Sequence, residues 1–510
     1  MPARVTFLLG RSGSGKTRRL HRCIKEALDK GRRVVVIVPE QFTFETERQL
    51  ASELGGLMDI EVYSFSSLAE KTLEGSYLGF LSRQGRRMAV RKTITEQGSK
   101  LRIFARVKDR PGFSERLCEL FTACKRYEVA PADLLDGAEK AGEDSLLANK
   151  LTELALLYGE TESYISGRYM DSEDMFAALI QNLPSSPIAG AEVVIDDFDL
   201  LTDQLYHLMA AMTKHAESMY ISLRMDPKEG RDAKLFAPKR RAYARLYGAA
   251  QENGCDIRVI QLPDGNPKRQ TDPALAHLEA EVFAYPYKIY GGEAPSLRIA
   301  AATSVSAECE MAAEAVLRCA QRGMRYRDMA VIATEPAYEL QLLRSMQRRG
   351  IPCFSDGARK LSAYGAPRLV LSALKCVNRG YNLNYIMDML RTGLTGIEGG
   401  DIDLFENYAL RCGIGGTGFK KPFDQEIPEK VRGFIISRID NFHTAFVNAP
   451  TARDKAAALF AFMESMGLYD SINGLVGRLR AEGRHQLAEE NAQVYRLMLT
   501  VLDQLHAIMG

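Results

Sequence analysis

The 510-residue chain has no apolar run near the roughly 20 residues that a membrane-spanning helix requires. No signal peptide is expected ahead of its first apolar strand. Its nine cysteines are scattered, with no C-x-x-C pair, which speaks against both a zinc site of that spacing and a disulfide framework. Reduced thiols in a cytoplasmic protein are the expectation. Charge of one sign is also missing: 67 Lys and Arg stand against 65 Asp and Glu, so bulk charge carries no information about nucleic acid. Internal repeats of fixed period and low-complexity tracts are absent. What is present, 46% hydrophobic and 26% charged residues, is the composition of a globular protein too long for one core, so two or more domains are expected.

Charge is uneven locally. Residues 1–35 carry ten Lys and Arg against two acids, and residues 83–110 repeat that count. Residues 133–174 are acidic. A solvated helix face is the plain reading of each run. The sharper reading of 83–110 is a surface that tracks nucleic-acid phosphates.

The clearest motif lies at residues 8–20, "LLGRSGSGKTRRL". Gly10, Gly15, Lys16 and Thr17 complete G-x-x-x-x-G-K-[ST], with Arg11, Ser12, Gly13 and Ser14 between them. Val5 to Leu9 reads as a buried strand. Leu20, Cys23, Ile24, Ala27 and Leu28 fall on one helix face, and Gly31 is a natural stop. In that strand–turn–helix order, backbone N–H groups from Gly10 to Lys16 can cradle phosphates, Lys16 can reach the outer ones, and Thr17 can ligate Mg²⁺. The acidic partner is sought in "VVIDDF": Asp196 is the candidate Mg²⁺ carboxylate, and Asp197 stands where many motors place a glutamate base.

Further strands are expected in "RRVVVIVPEQ", "IEVYSFSSLAE", "MYISLRMD" and "DIRVIQL". The text between is helical from about 76 to 189, where Ser172 is a candidate cap for "EDMFAALIQNL". The reading is therefore α/β, with a first nucleotide-binding domain in two parts (1–75 and 190–290) split by a helical insertion (76–189). A Pro- and Gly-bearing linker spans 263–296. A second α/β unit is expected over 296–375, with strands "SLRIAAAT", "DMAVIAT" and "IPCFS", and a helical insertion over 376–510 whose final helix suggests truncation.

These segments, taken in order with "VIVPEQFTFETE", "VIDDFDLLTDQ", "HLEAEVFAYP", "SAECEMAAEAV", "RGMRYRDMAVIAT" and "IPCFSDGARKLS", resemble the AddB family, the second components of AddAB-type ATP-dependent helicase–nucleases. The resemblance runs to about residue 370 and thins beyond. It implies two RecA-like domains of the superfamily 1 helicase type, a heterodimeric AddA-type partner, DNA ends and single-stranded DNA as ligands, and a role in recombinational repair of double-strand breaks. It also implies a PD-(D/E)XK nuclease and a 4Fe-4S cluster in the family's C-terminal half, to which no residue or cysteine here is assigned. Three motor elements depart from the pattern. A glutamine motif ahead of the loop is missing, "YISLRMD" replaces a G-D-x-x-Q segment, and Thr334 stands where an arginine would touch the γ-phosphate. One such arginine is worth about 10³-fold or more in rate, so ATP and Mg²⁺ binding with weak or no hydrolysis is expected. A stand-alone P-loop kinase or transferase and a fully active DNA-dependent motor are the alternatives.

Phe42, Phe44, Tyr63 and Phe65, with Arg86, Arg87 and Arg91, are candidates for contact with single-stranded DNA. Core packing is the plainer expectation for the aromatics and solvent for the arginines. His277 reads as a helix-face residue, and glycines 413, 415, 416 and 418 as a turn.

Overall fold

The computed structural model describes residues 3–56, 58–74, 81–142, 145–171, 173–196, 198, 201–226, 228, 230–263, 272–355 and 360–509. Ser172 and Asp197 lie outside them. The chain divides into two units, Met1–Leu297 and Arg298–Gly510.

The first unit is built on β1 (Arg4–Gly10), β2 (Val34–Ile37), β3 (Ile60–Tyr63), β4 (Glu192–Ile195), β5 (Ser218–Arg224) and β6 (Asp256–Gln261). They form one parallel sheet in the order β3-β2-β4-β5-β1-β6. Inner strands of such a sheet are covered on both faces, and "VVVI" of β2 and "EVVI" of β4 are buried at every position. Side chains alternate between the two cores. Val5, Phe7 and Leu9 of β1 join Leu208, Met209 and Leu246 on one face, while Leu8 joins Leu20, Ile24 and Leu50 on the other. The edge strand β6 is mostly exposed.

Helices α1 (Lys16–Leu28), α2 (Thr43–Leu54) and α3 (Phe65–Thr72) follow the first three strands. α1 buries Leu20, Cys23, Ile24 and Ala27, the stripe its spacing predicts. Between β3 and β4 also come α4 (Arg83–Glu96), α5 (Pro111–Arg126), α6 (Pro131–Lys140), α7 (Leu146–Ile165) and α8 (Asp174–Asn182). Part of this segment has its own small core, in which Phe121 stacks on Tyr158 at 4.9 Å. α9 (Asp203–Met212), α10 (Ala233–Glu252) and α11 (Pro273–Glu281) complete the unit.

In the second unit, α12 (Val305–Gln321) and α13 (Pro336–Arg348) precede a bundle of α14 (Gly365–Arg379), α15 (Leu383–Leu390), α16 (Gly399–Arg411), α17 (Glu426–Asn448), α18 (Ala452–Ser465), α19 (Leu468–Ala481) and α20 (His485–Met509). The bundle has one apolar core that includes Phe405, Phe419, Ile435 and Leu468. The second sheet expected after residue 296 does not form: among the described residues this unit has no strand. Among the described residues the three apolar segments expected as strands join no ladder, and Ile299, Ile332 and Phe354 in them are 103%, 90% and 82% exposed. A strand exists only through the ladder a neighbour supplies, so apolar text between helices does not suffice. The glycine-rich "CGIGGTGF" begins as a turn after α16, with Gly413 and Gly416 at positive φ, but its second half enters a short 3₁₀ helix, Gly416–Lys420.

Candidate functional site

Because all six strands run parallel, every segment that leaves a C-terminal end emerges on one edge of the sheet. The loop Gly10–Thr17 leaves β1 there, and Asp196 follows β4. β5 lies between those two strands, with Leu8 in register with Ser222 and Ile195 with Ile221. Sheet order thus brings together Thr17 and Asp196, 179 positions apart.

The loop's shape is set by its small residues. Gly10 packs against Ser14 so closely that a Cβ would stand 2.3 Å from Ser14 Oγ and 3.3 Å from Leu262 Cβ. Gly15 caps α1 at φ +88°, a left-handed conformation that other residues adopt only at a cost. No side chain caps this helix, and its first turn carries no acid but has Lys16, Arg18 and Arg19. Uncapped N–H groups beside basic side chains make an end that favours an anion. Lys16 Nζ folds over the loop and donates to the carbonyls of Gly10 (2.9 Å) and Arg11 (2.8 Å). Ser14 Oγ is buried with no hydrogen-bond partner among the described residues.

Thr17 Oγ1 donates to Asp196 Oδ2 at 2.9 Å, and Ser222 Oγ donates to Asp196 Oδ1. The Asp196 amide is bonded to the Ile37 carbonyl of β2 at 3.1 Å, and its side chain is buried. The predicted pair Thr17 and Asp196 is therefore in contact, through oxygen atoms alone, the donor type that Mg²⁺ prefers. Ser222 was missed by sequence reasoning. It sits in the "YISLRMD" strand, and no motif there marks a serine as the support of a carboxylate on the neighbouring strand.

Arg11 was predicted only as a loop residue, yet its side chain is anchored to residues far along the chain. It is paired with Asp226 (3.3 Å) and Asp232, and its guanidinium lies 5.0 Å from the Phe236 ring centre. Burial pulls its pKa down, but the bonds and charges of Asp232 and Asp226 outweigh that and hold it above its ordinary value. Next to Arg11 and Ser12 opens a cavity of about 350 Å³, while a larger cleft of about 1120 Å³ lies in the second unit. That cleft, which Thr334 borders, has mainly apolar walls around the segments 329–334 and 351–355. Volume alone therefore does not point to the site; the phosphate-type loop does.

The residues considered for DNA contact divide. Phe44 and Phe42 are 75% and 40% exposed, against the expectation of core packing, whereas Phe65 is buried and Tyr63 half-buried. Arg86 does not face solvent: it is buried and bound to Glu162 (2.9 Å) and Asp171. Arg87 and Arg91 are partly exposed and pair with Glu115 and Asp109. His277 lies on α11, its Nε2 2.8 Å from the Lys288 carbonyl, in keeping with a structural role. Among the described residues no helix is long and apolar enough to cross a membrane. The only described group of three or more possible metal ligands is Glu162, Asp171 and Asp174, which Lys125 bridges.

Residues 7–279 match the family described as ADDB, N-terminal. Curated relatives include the B component of the ATP-dependent helicase/deoxyribonuclease of Acetivibrio thermocellus, 32% identical over 542 residues, covering 99% of this chain and 47% of the relative. The proteins of the same name from Desulforudis audaxviator and Alkaliphilus metalliredigens are 32% and 29% identical, with the same coverage. The chain thus spans about half the length of the curated relatives it matches. By a match over more than half of its residues, and by alignment with such relatives along nearly all of it, the chain belongs to the AddB family.

Proposed function

We propose that this chain is the helicase-like, nucleotide-binding part of one component of an ATP-dependent helicase–nuclease. In this reading it works beside an AddA-type partner on DNA ends, in recombinational repair of double-strand breaks. The observation that carries the reading is the loop Gly10–Thr17, set on the edge of a parallel sheet with Thr17 bonded to Asp196. Family membership leaves a stand-alone kinase or transferase without support.

ATP would lie with its phosphates on the uncapped start of α1. N–H groups of the loop and the start of α1 would donate to phosphate oxygens, and Lys16 Nζ would turn from the Gly10 and Arg11 carbonyls toward the outer phosphates. Thr17 and Asp196 are the residues that would hold Mg²⁺, and the ion would supply charge neutralisation on the phosphates. Ser222 keeps the Asp196 carboxylate aimed at Thr17. Within the first unit "YISLRMD" stands where an active motor carries a G-D-x-x-Q segment, so turnover is slow and the nucleotide serves chiefly as a structural ligand of a DNA-binding scaffold. Phe44, exposed in the first turn of α2, supports a stacking contact with single-stranded DNA.

The test is equilibrium binding of ATP·Mg²⁺ together with steady-state turnover. The wild-type chain binds, and Lys16→Ala abolishes binding. With single-stranded DNA present, hydrolysis stays below about 1 s⁻¹, the low edge of ordinary enzyme turnover. Faster DNA-stimulated hydrolysis that Lys16→Ala removes would establish the active motor instead.

A further inference from the structure

The loop accounts for the phosphates of a nucleotide and leaves its base and ribose without a seat. The 350 Å³ cavity begins where the loop's own residues end: Arg11 and Ser12 form one of its walls. That volume lies within the range of about 300–1,000 Å³ typical of small-molecule pockets. The opposite wall carries small side chains beside Glu279. Ala276 and Ala280 stand four residues apart on α11, hence on one face, and Ala284 follows the helix. Side chains that end at Cβ leave room for a flat ring in a cavity whose other walls are polar. Asp226 and Asp232 border the same space; each is held by Arg11, yet a carboxylate has about four acceptor positions and keeps some for a donor such as a ribose hydroxyl or a ring amine.

The slot is kept open by contacts that need no ligand. Arg11 is drawn against Phe236 and its two carboxylates, so its side chain does not fill the space. Arg231, also on the rim, is turned toward Glu281 and donates to the Pro286 carbonyl at 2.7 Å. Glu281 in turn accepts from the Lys288 amide at 2.7 Å, which fixes the end of α11. A pocket shaped in advance loses little ordering entropy when it is filled.

From this we infer that the cavity between Arg11–Ser12 and the alanine face of α11 seats the nucleoside moiety of the nucleotide whose phosphates the loop holds. The inference rests on the phosphate-loop reading. It makes Ala276 and Ala280 determinants of nucleoside recognition, and Arg11 the positioning residue that shapes the slot.

The experiment compares equilibrium binding of ATP and of inorganic tripolyphosphate, each with Mg²⁺, to the full chain. The wild type is expected to bind ATP at least about tenfold more tightly, a difference of about 1.4 kcal/mol. Ala280→Phe, at an exposed position where folding is not at stake, should bring the ATP affinity down to that of tripolyphosphate and leave the latter unchanged. Ala276→Met gives the same test from the other side of the slot, with a melting curve to verify folding. Equal wild-type affinities, or a preference for ATP that survives both substitutions, would overturn the subsite while the loop reading stands. If the wild type binds neither ligand, or if Lys16→Ala binds both as well as the wild type does, the loop reading itself fails and the subsite with it.

Discussion

Replacing Arg86 by methionine separates two readings of the basic stretch 83–110. Were Arg86 a phosphate contact, its loss would leave the fold intact and reduce the salt dependence of DNA binding by about 0.7 per contact on single strands. The structure argues otherwise. Arg86 and Lys125 face Glu162, Asp171 and Asp174, so two cations already serve three carboxylates. Burial pushes the Asp171 carboxyl up, and Arg86 and then Lys125 pull it below its ordinary value; burial leaves Glu162 and Asp174 raised. Removing one partner of a buried pair costs about 3–5 kcal/mol. Lys125 remains 2.9 Å from Asp171 and keeps part of the compensation, which places the expected cost near the lower bound, about 3 kcal/mol. The observable is amide hydrogen exchange in the buried turns of α4, α5 and α7, which should accelerate about 10²-fold. Arg87→Met is the control: that side chain is 42% exposed and its pair with Glu115 is 3.6 Å long, so protection should barely change. Unchanged protection in the Arg86 variant, with a reduced salt slope for DNA, would refute the argument.

Three further outcomes are expected. Ser222→Ala frees one oxygen of Asp196 and should weaken Mg²⁺-dependent ATP binding about tenfold while leaving binding in EDTA unaltered, as supports of metal ligands do; equal loss in both conditions would show a general defect. Gly10→Ala drives a methyl group to 2.3 Å from Ser14 Oγ and should cost about 1–3 kcal/mol of loop stability, read as weakened nucleotide binding; adding Ser14→Gly should restore most of it, and no rescue would place the strain elsewhere. Hydrogen bonding from Arg231 holds the Glu281 carboxyl at about 2, below its ordinary 4.5, so the tether on α11 is complete above pH 4.5 and is lost as pH falls toward 2. Exchange protection of α11, corrected for intrinsic rates, should fall across that window in the wild type and be low and flat in Glu281→Gln; a wild-type profile flat across it would remove Glu281 as the tether.

Much was legible in the residues alone, for a physical reason. The loop from Gly10 to Thr17, the strand before it and the apolar stripe of α1 are local: spacing, glycine and the 3.6-residue period specify them without reference to distant chain. Six strands of the first unit could be read from apolar runs, and Asp196 from its place after one of them. Which strands are neighbours could not, because sheet order is decided by how helices cover both faces; that order alone puts Thr17, Asp196 and Ser222 together. The same holds for burial. Phe44 was expected in the core and Arg86 in solvent, and once the surrounding helices are placed they exchange those roles. Arg11 owes its position to Asp226 and Asp232, more than two hundred residues on, and the alanines of α11 became a wall only when that helix came to lie beside the loop. In the second unit, apolar segments written like strands remain without a ladder, since a ladder takes the backbone of two segments and no single one contains it.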